Sequence, residues 1–375
     1  MIKIKYPKED RLEVLKQNYL KVFEDLDELK NRWEPFKSKF NIDFEKLLIV
    51  DFETLVDLYY KYKSLLVSDV DKKILDSIFD YEMYQPKIAD FYMKPENGFN
   101  LSTCHYCNMA YINIYSKSLL YNSLLDFINN ASSAEWREIF DEKKLSDQNL
   151  IDIISKRNFV SLEDFNKRKY LWKRIELYKG FSLDSSHNHF DLDHLLPKSI
   201  CPILGLSLFN FVPSCQVCNE KLKKAQELAN DKDGWLKISP TYINNSNHVS
   251  FDNDVTIKIV PENNCSTFFE LKKNNGNYRL EFESNKDQTY ERYISIFHLN
   301  ERYNYHKNLA LHILDLKERY PSEKCKEISR LLSGENNEGQ IPQYSESQIK
   351  EDIFGEEFNK DRCFSKLIKD MINKN

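Results

Sequence analysis

Apolar residues step by three and four along the first hundred positions: Leu12, Leu15, Tyr19, Val22, Leu26 and Leu29, then Phe52, Leu55, Tyr59, Tyr62 and Leu66. That spacing brings one face of a helix to a core, so the region 1–98 is expected to be helical. Pro35 and the polar run 41–43 are predicted to separate the two stretches. The stripes serve either to dock a partner or to cover the rest of the fold. Residues 109–115, MAYINIY, alternate as a strand does, which puts the preceding CHYCN on a turn. Helical spacing returns from about 117 to 182, with Leu119, Leu120, Leu124, Phe127 and Ile128 on one face, Ser161 as a helix start and Gly180 as a stop. From about 248 to 283, VTIKIV, TFFELK and NYRLEF alternate between turn signals and predict a small antiparallel meander. Residues 290–319 read as one long helix or a pair, ended by Pro321; 333–346 read as a linker and 347–373 as a last helical stretch.

The pattern as a whole is α+β and mostly helical, in three regions. A helical N-terminal region covers 1–98, a core covers 99–283 with the helical insert and the meander inside it, and a helical C-terminal region covers 284–375. The 22 Tyr and 24 Phe against only 8 Gly favour aromatic, helical packing over disorder or a glycine-lined nucleotide loop. No long apolar run or leader-like start is evident, so no membrane span and a cytoplasmic location are expected.

Chemistry concentrates in two places. CHYCN holds Cys104 and Cys107, and the stretch 191–224 holds Asp193, His194, Asn210, then Cys215 and Cys218 with Asn219 directly behind. Two Cys-x-x-Cys pairs can close one tetrahedral zinc site with sulfurs about 2.3 Å from the ion, a staple for a motif too poor in core to hold itself. Buried thiols and a redox dithiol are the alternatives, and the second lacks the strand-then-helix setting it needs. Cys201, Cys265, Cys325 and Cys363 have no paired spacing and read as ordinary reduced thiols.

On these residues the chain resembles the HNH, or ββα-metal, endonuclease family. There a strand ends in Asp-His, a loop leads to an Asn on a second strand, and a helix begins near a final His or Asn. Asp193-His194, Asn210 and Asn219 take those places, and the likeness covers CHYCN and 191–224. His187-Asn188-His189 spells the family's initials by accident, in residues too close together for three roles. The resemblance implies a zinc-stapled ββα-metal core that hydrolyses phosphodiester bonds of nucleic acid, DNA favoured. Such hydrolysis calls for a divalent ion, Mg²⁺ or Mn²⁺, on oxygen ligands, and for a base. Asp193 suits the ion and the neutral imidazole of His194 suits the base. The resemblance makes Asn219 the second ligand and makes Asn210 the residue that ties the loop and orients His194.

In an ideal strand Asp191 and Asp193 share a face and His194 points to the other. Convergence of Asp193 and His194 on one phosphate therefore requires the strand to end there, and Pro197 favours an ending. Asp191 either supports the site from behind or faces solvent. Lys198, Lys221, Lys223 and Lys224 flank the proposed site and suit phosphate contacts, and 216–230 is expected to be the helix of the motif. The basic window NKRKYLWKR, with Lys167, Arg168, Lys169, Lys173 and Arg174 around Tyr170 and Trp172, either tracks a backbone or is a solvated face.

The Tyr106-Cys107 of the first cysteine pair, the DH-x-x-P-K-S run and the later Asn300, Tyr303, His306, Lys307 segment are also similar to the HNH nucleases of Septu-type and retron-associated anti-phage systems. That resemblance implies an ABC-type ATPase partner. It would account for the formal charge of −5, which is unexpected in a nuclease that grips duplex DNA unaided. A catalytically inactive, zinc-stabilised interaction module is the alternative. His298 and His306 read as packing or surface residues.

Overall fold

The apolar stripes of the first hundred residues wind into α1 (Asp10–Leu20), α2 (Leu26–Phe40), α3 (Phe44–Ile49), α4 (Phe52–Ser64), α5 (Asp69–Ile78) and α6 (Tyr81–Met93). The computed structural model describes residues 3–7, 10–99, 101–112, 114–116, 186–243, 250–262, 278–284, 287–333, 345–354 and 362–373. The expected insert helices, the NKRKYLWKR window, TFFELK, Cys265 and most of the expected linker lie outside these residues.

Local chemistry sets the helix ends. Asp51, Ser68 and Asp80 each accept a hydrogen bond from the backbone N–H three residues on, at α4, α5 and α6. Asn41 closes α2 in the left-handed region, at φ 57°. Pro35 corrects its sequence reading: it sits inside α2 and separates nothing. Its ring faces solvent, so the carbonyl it leaves without a donor meets water, while Trp33, Phe36 and Phe40 anchor the buried face. The first stripe is cut between α1 and α2, and α4 ends at Ser64, leaving Leu66 fully exposed.

The helices cover the loop 195–210 and not merely one another. Tyr19 donates to the Leu206 carbonyl at 2.8 Å and Tyr92 to the Leu208 carbonyl at 3.1 Å; Ser207 donates to the Leu47 carbonyl at 2.9 Å. A buried loop carries carbonyls that need donors, and tyrosine supplies one at the tip of a ring that also buries apolar area.

The chain divides into two compact units, 114–188 and the remainder. Within the first, β1 (Ile114–Ser116) pairs antiparallel with β2 (Ser186–Asn188). In the second, β3 (Asp191–His194) pairs antiparallel with β4 (Phe211–Ser214). A π-helix, Val217–Lys223, follows β4 where an α-helix over 216–230 was expected; Lys224, at φ 50°, ends it. After α7 (Lys232–Ile238) and α8 (Ser250–Asp254), β5 (Val255–Pro261) and β6 (Tyr278–Ser284) form an antiparallel ribbon. Where one helix or a pair was expected, α9 (Gln288–Ile296), α10 (Leu299–Asn304) and α11 (Lys307–Arg319) appear, followed by α12 (Ser322–Ser333), α13 (Glu346–Phe354) and α14 (Ser365–Asn373).

Two strands alone are marginal, and among the described residues side chains reach both edges of this pair. On β6, Asn300 accepts from the Phe282 N–H and Asn304 from the Leu280 N–H, each at 2.8 Å. On β5, the buried carboxylate of Asp370 in α14 accepts from the Ile257 N–H at 2.8 Å, and Lys366 neutralises it at 3.1 Å. The Asn300 to Lys307 segment thus docks α10 and α11 on the ribbon, with Lys307 donating to the Tyr278 carbonyl at 2.9 Å.

Candidate functional site: a four-cysteine cluster beside an Asp-His strand

Cys104 and Cys107 sit on a tight turn that closes through a residue in the left-handed region. Asn108, at φ 54°, is that residue, and its N–H reaches the Cys104 carbonyl at 2.9 Å. Its side chain and carbonyl then hold the start of α14, accepting from the Lys366 and Phe364 N–H groups. Cys215 follows β4 and Cys218 opens the π-helix. The four sulfurs lie within 4.8 Å of one another, and Cys104, Cys107 and Cys218 are buried.

Tetrahedral bonds of about 2.3 Å set sulfurs roughly 3.8 Å apart, so the donor set fits a soft-ligand metal ion. The surroundings fit thiolates as well. The Cys215 N–H donates to Cys104 Sγ at 3.3 Å, the Met109 N–H to Cys107 Sγ at 3.4 Å, and Arg302 Nη1 to Cys218 Sγ at 3.5 Å. Within the cluster, hydrogen bonds from the other three thiols, with a smaller contribution from Arg302, hold Cys107 well below the ordinary thiol range, while burial pushes Cys104 well above it. Tyr293 and Tyr303 cap the turn's Tyr106 and Cys107 carbonyls at 2.6 and 2.8 Å.

Asp193 and His194 lie on adjacent residues of β3 with different partners. The Asp193 carboxylate is 5 % exposed. It accepts from Tyr106 Oη at 2.5 Å and pairs with Lys223 Nζ at 2.9 Å. Burial pushes this carboxyl above its ordinary value, against the pull of Lys223 and Tyr106. The His194 ring lies against Tyr81 and Phe211, with centroids 4.6 and 5.0 Å away. Its Nε2 is 2.9 Å from the Gly205 carbonyl. A carbonyl can only accept, so the neutral ring carries its proton on Nε2 and Nδ1 is the basic nitrogen. Burial takes its pKa down to about 3, with Lys198 and Lys223 pushing the same way, so the ring is neutral at physiological pH.

Asn210 is fully buried and uses its whole amide. Its Oδ1 accepts from the Leu196 N–H at 2.8 Å, and its Nδ2 donates to the carbonyls of Leu196 and Leu204 at 3.0 and 3.1 Å. It thereby closes the loop on the residue next to Gly205, the acceptor for His194. Asn210→Ala strands one donor and two acceptors, and is expected to cost about 3 kcal/mol in urea denaturation. A loss below about 1 kcal/mol would mean that water replaces the amide.

No family model, curated protein or solved structure matches this chain. The site's own chemistry therefore carries the argument.

The structure brings the four cysteines together, and it places Asn210 under the His194 loop. It does not present Asp193 and Asn219 as a ligand pair. Lys223 and Tyr106 hold both oxygens of Asp193, and the Asn219 amide donates instead to Asp191 at 3.3 Å. As placed, this pair does not fit a divalent ion. Lys223 also corrects its sequence reading: it is fully buried, between Asp193 and the His194 carbonyl, and is not open to a phosphate from solvent. Lys198, Lys221 and Lys224 are exposed, and Lys198 lies 4.7 Å over the Tyr81 ring. Sequence reasoning passed over Tyr106 and Arg302 as partners of the site and gave Lys223 to the phosphate in place of Asp193. Lys223 carried a faint signal, standing four residues after Asn219 and hence on the same helix face.

Proposed function

We propose that this chain is an HNH-type endonuclease that hydrolyses phosphodiester bonds of nucleic acid, DNA favoured. Cys104, Cys107, Cys215 and Cys218 hold a structural zinc, and His194 is the general base through Nδ1. One observation supports the reading most. A strand carrying Asp193-His194, a loop closed by Asn210, the antiparallel partner strand and a helix opening at Cys218-Asn219 follow one another beside four clustered thiols. Four soft thiolates suit zinc over the harder divalent ions. The exposed Lys198, Lys221 and Lys224 are the proposed phosphate contacts. A formal charge of −5 gives weak unaided affinity for duplex DNA, which favours a partner that brings the substrate; the resemblance suggests an ABC-type ATPase of an anti-phage system, acting in the cytoplasm.

A second reading, a zinc-stabilised interaction module without catalysis, draws on the neutralisation of Asp193 by Lys223. Nicking of supercoiled plasmid with Mg²⁺ or Mn²⁺ separates the two, comparing the wild type with His194→Gln, both with and without the ATPase partner. Glutamine is preferred to alanine because the imidazole fills space between Tyr81 and Phe211. The variant is expected to lose about 100-fold or more in rate, as removal of a general base does, with zinc content and melting close to wild type. Equal nicking by both proteins, or none by either, would leave the module reading standing.

A further inference from the structure

β3 carries two carboxylates on one face, and their surroundings differ. Asp193 is buried and already balanced by Lys223. Asp191, two residues earlier, is partly exposed, and its one hydrogen bond among the described residues comes from the Asn219 amide. Directly across the ladder from Asp191 stands Ser214. Opposed residues of an antiparallel pair share a face, with Cβ atoms about 4.5–5.5 Å apart. Ser214 is 0 % exposed, and its Oγ has no hydrogen-bond partner among the described residues. A hydroxyl buried in that way is destabilising unless something satisfies it.

We propose that Asp191, Ser214 and Asn219 form a binding site for a hard divalent cation of the magnesium or manganese class. One carboxylate with neutral oxygens and retained waters is the donor set that such ions take. Rotating the Asn219 amide about its last torsion turns Oδ1 toward Asp191 in place of Nδ2. Ser214 and Asn219 are the chain neighbours of Cys215 and Cys218, and four thiolates on one divalent ion keep a net negative charge that attracts a second cation. Arg302, at the Cys218 sulfur, offsets part of that charge. The inference deepens the nuclease reading by moving its ion from Asp193 to Asp191, and rests on that reading only for what the ion would do there.

The test titrates zinc-loaded, full-length protein with Mn²⁺ and follows free Mn²⁺ by electron paramagnetic resonance. One Mn²⁺ per chain is expected beyond the zinc, and Asp191→Asn is expected to weaken it by more than about 10-fold, since even residues that merely support ligands shift metal affinity that far. Ser214→Ala is expected to weaken it several-fold while leaving melting unchanged or raised, because it removes a buried hydroxyl that has no hydrogen-bond partner among the described residues. No bound Mn²⁺, or binding indifferent to Asp191→Asn, overturns the proposal. Plasmid nicking that depends on His194 together with such indifference would keep the nuclease and discard this site. Asp191-dependent Mn²⁺ binding by a protein that never nicks plasmid would keep the site and discard the nuclease.

Discussion

Cys107→Ser is expected to cost the chain its cooperative fold, and a chelator strong enough to strip zinc is expected to do the same to the unaltered protein. Structural zinc contributes an apparent 10–16 kcal/mol or so in small domains, against a total stability of about 5–15 kcal/mol. Losing one of four thiolates forfeits a large part of that. The effect spreads because the cysteine turn is a junction. Tyr293 and Tyr303 reach its carbonyls from α9 and α10, Tyr106 reaches Asp193 in β3, and Asn108 holds α14. Metal analysis should find one zinc per wild-type chain and less in the variant. Circular dichroism should find a melting midpoint lower by about 10 °C or more, if a midpoint survives at all. A variant that melts like the wild type would take the metal out of the account of the fold.

Lys223→Met should be the next most damaging change. The ammonium is fully buried and pairs with a carboxylate on a residue that is itself 5 % exposed, so its loss leaves a charge in the interior with hydrogen bonds from Tyr106 and the His194 backbone to stabilise it but no counter-ion among the described residues. Breaking a buried pair from one side costs about 3–5 kcal/mol, whereas replacing both partners with uncharged groups of similar size is often neutral. Lys223→Met combined with Asp193→Asn is therefore expected to recover most of what Lys223→Met loses. Urea denaturation of the two single variants and the double gives the coupling directly. If Lys223→Met costs under about 1 kcal/mol, the pair is not desolvated as placed, and Asp193 is free to take another cation.

Much of the architecture was legible because it rests on local chemistry. The stripe of Leu55, Tyr59 and Tyr62 gave α4, and the paired cysteines announced a common centre. What escaped depends on contacts between distant segments. Pro35 reads as a helix breaker until its neighbours show that its open side faces water. Lys221, Lys223 and Lys224 look interchangeable in sequence, yet a π-helix turns the middle one into the core and leaves the others outside. Adjacent positions on a strand point to opposite faces, so Asp193 and His194 each found a different environment although the motif sets them side by side.

Asn108 joins two equilibria that look unrelated. The same residue that lets the cysteine turn close also fastens the start of α14, whose Asp370 in turn covers an edge of the ribbon. Disturbing the cysteine turn, by thiol oxidation or by loss of the metal proposed for it, would thus be felt as a slackening of the C-terminal helix, far along the chain.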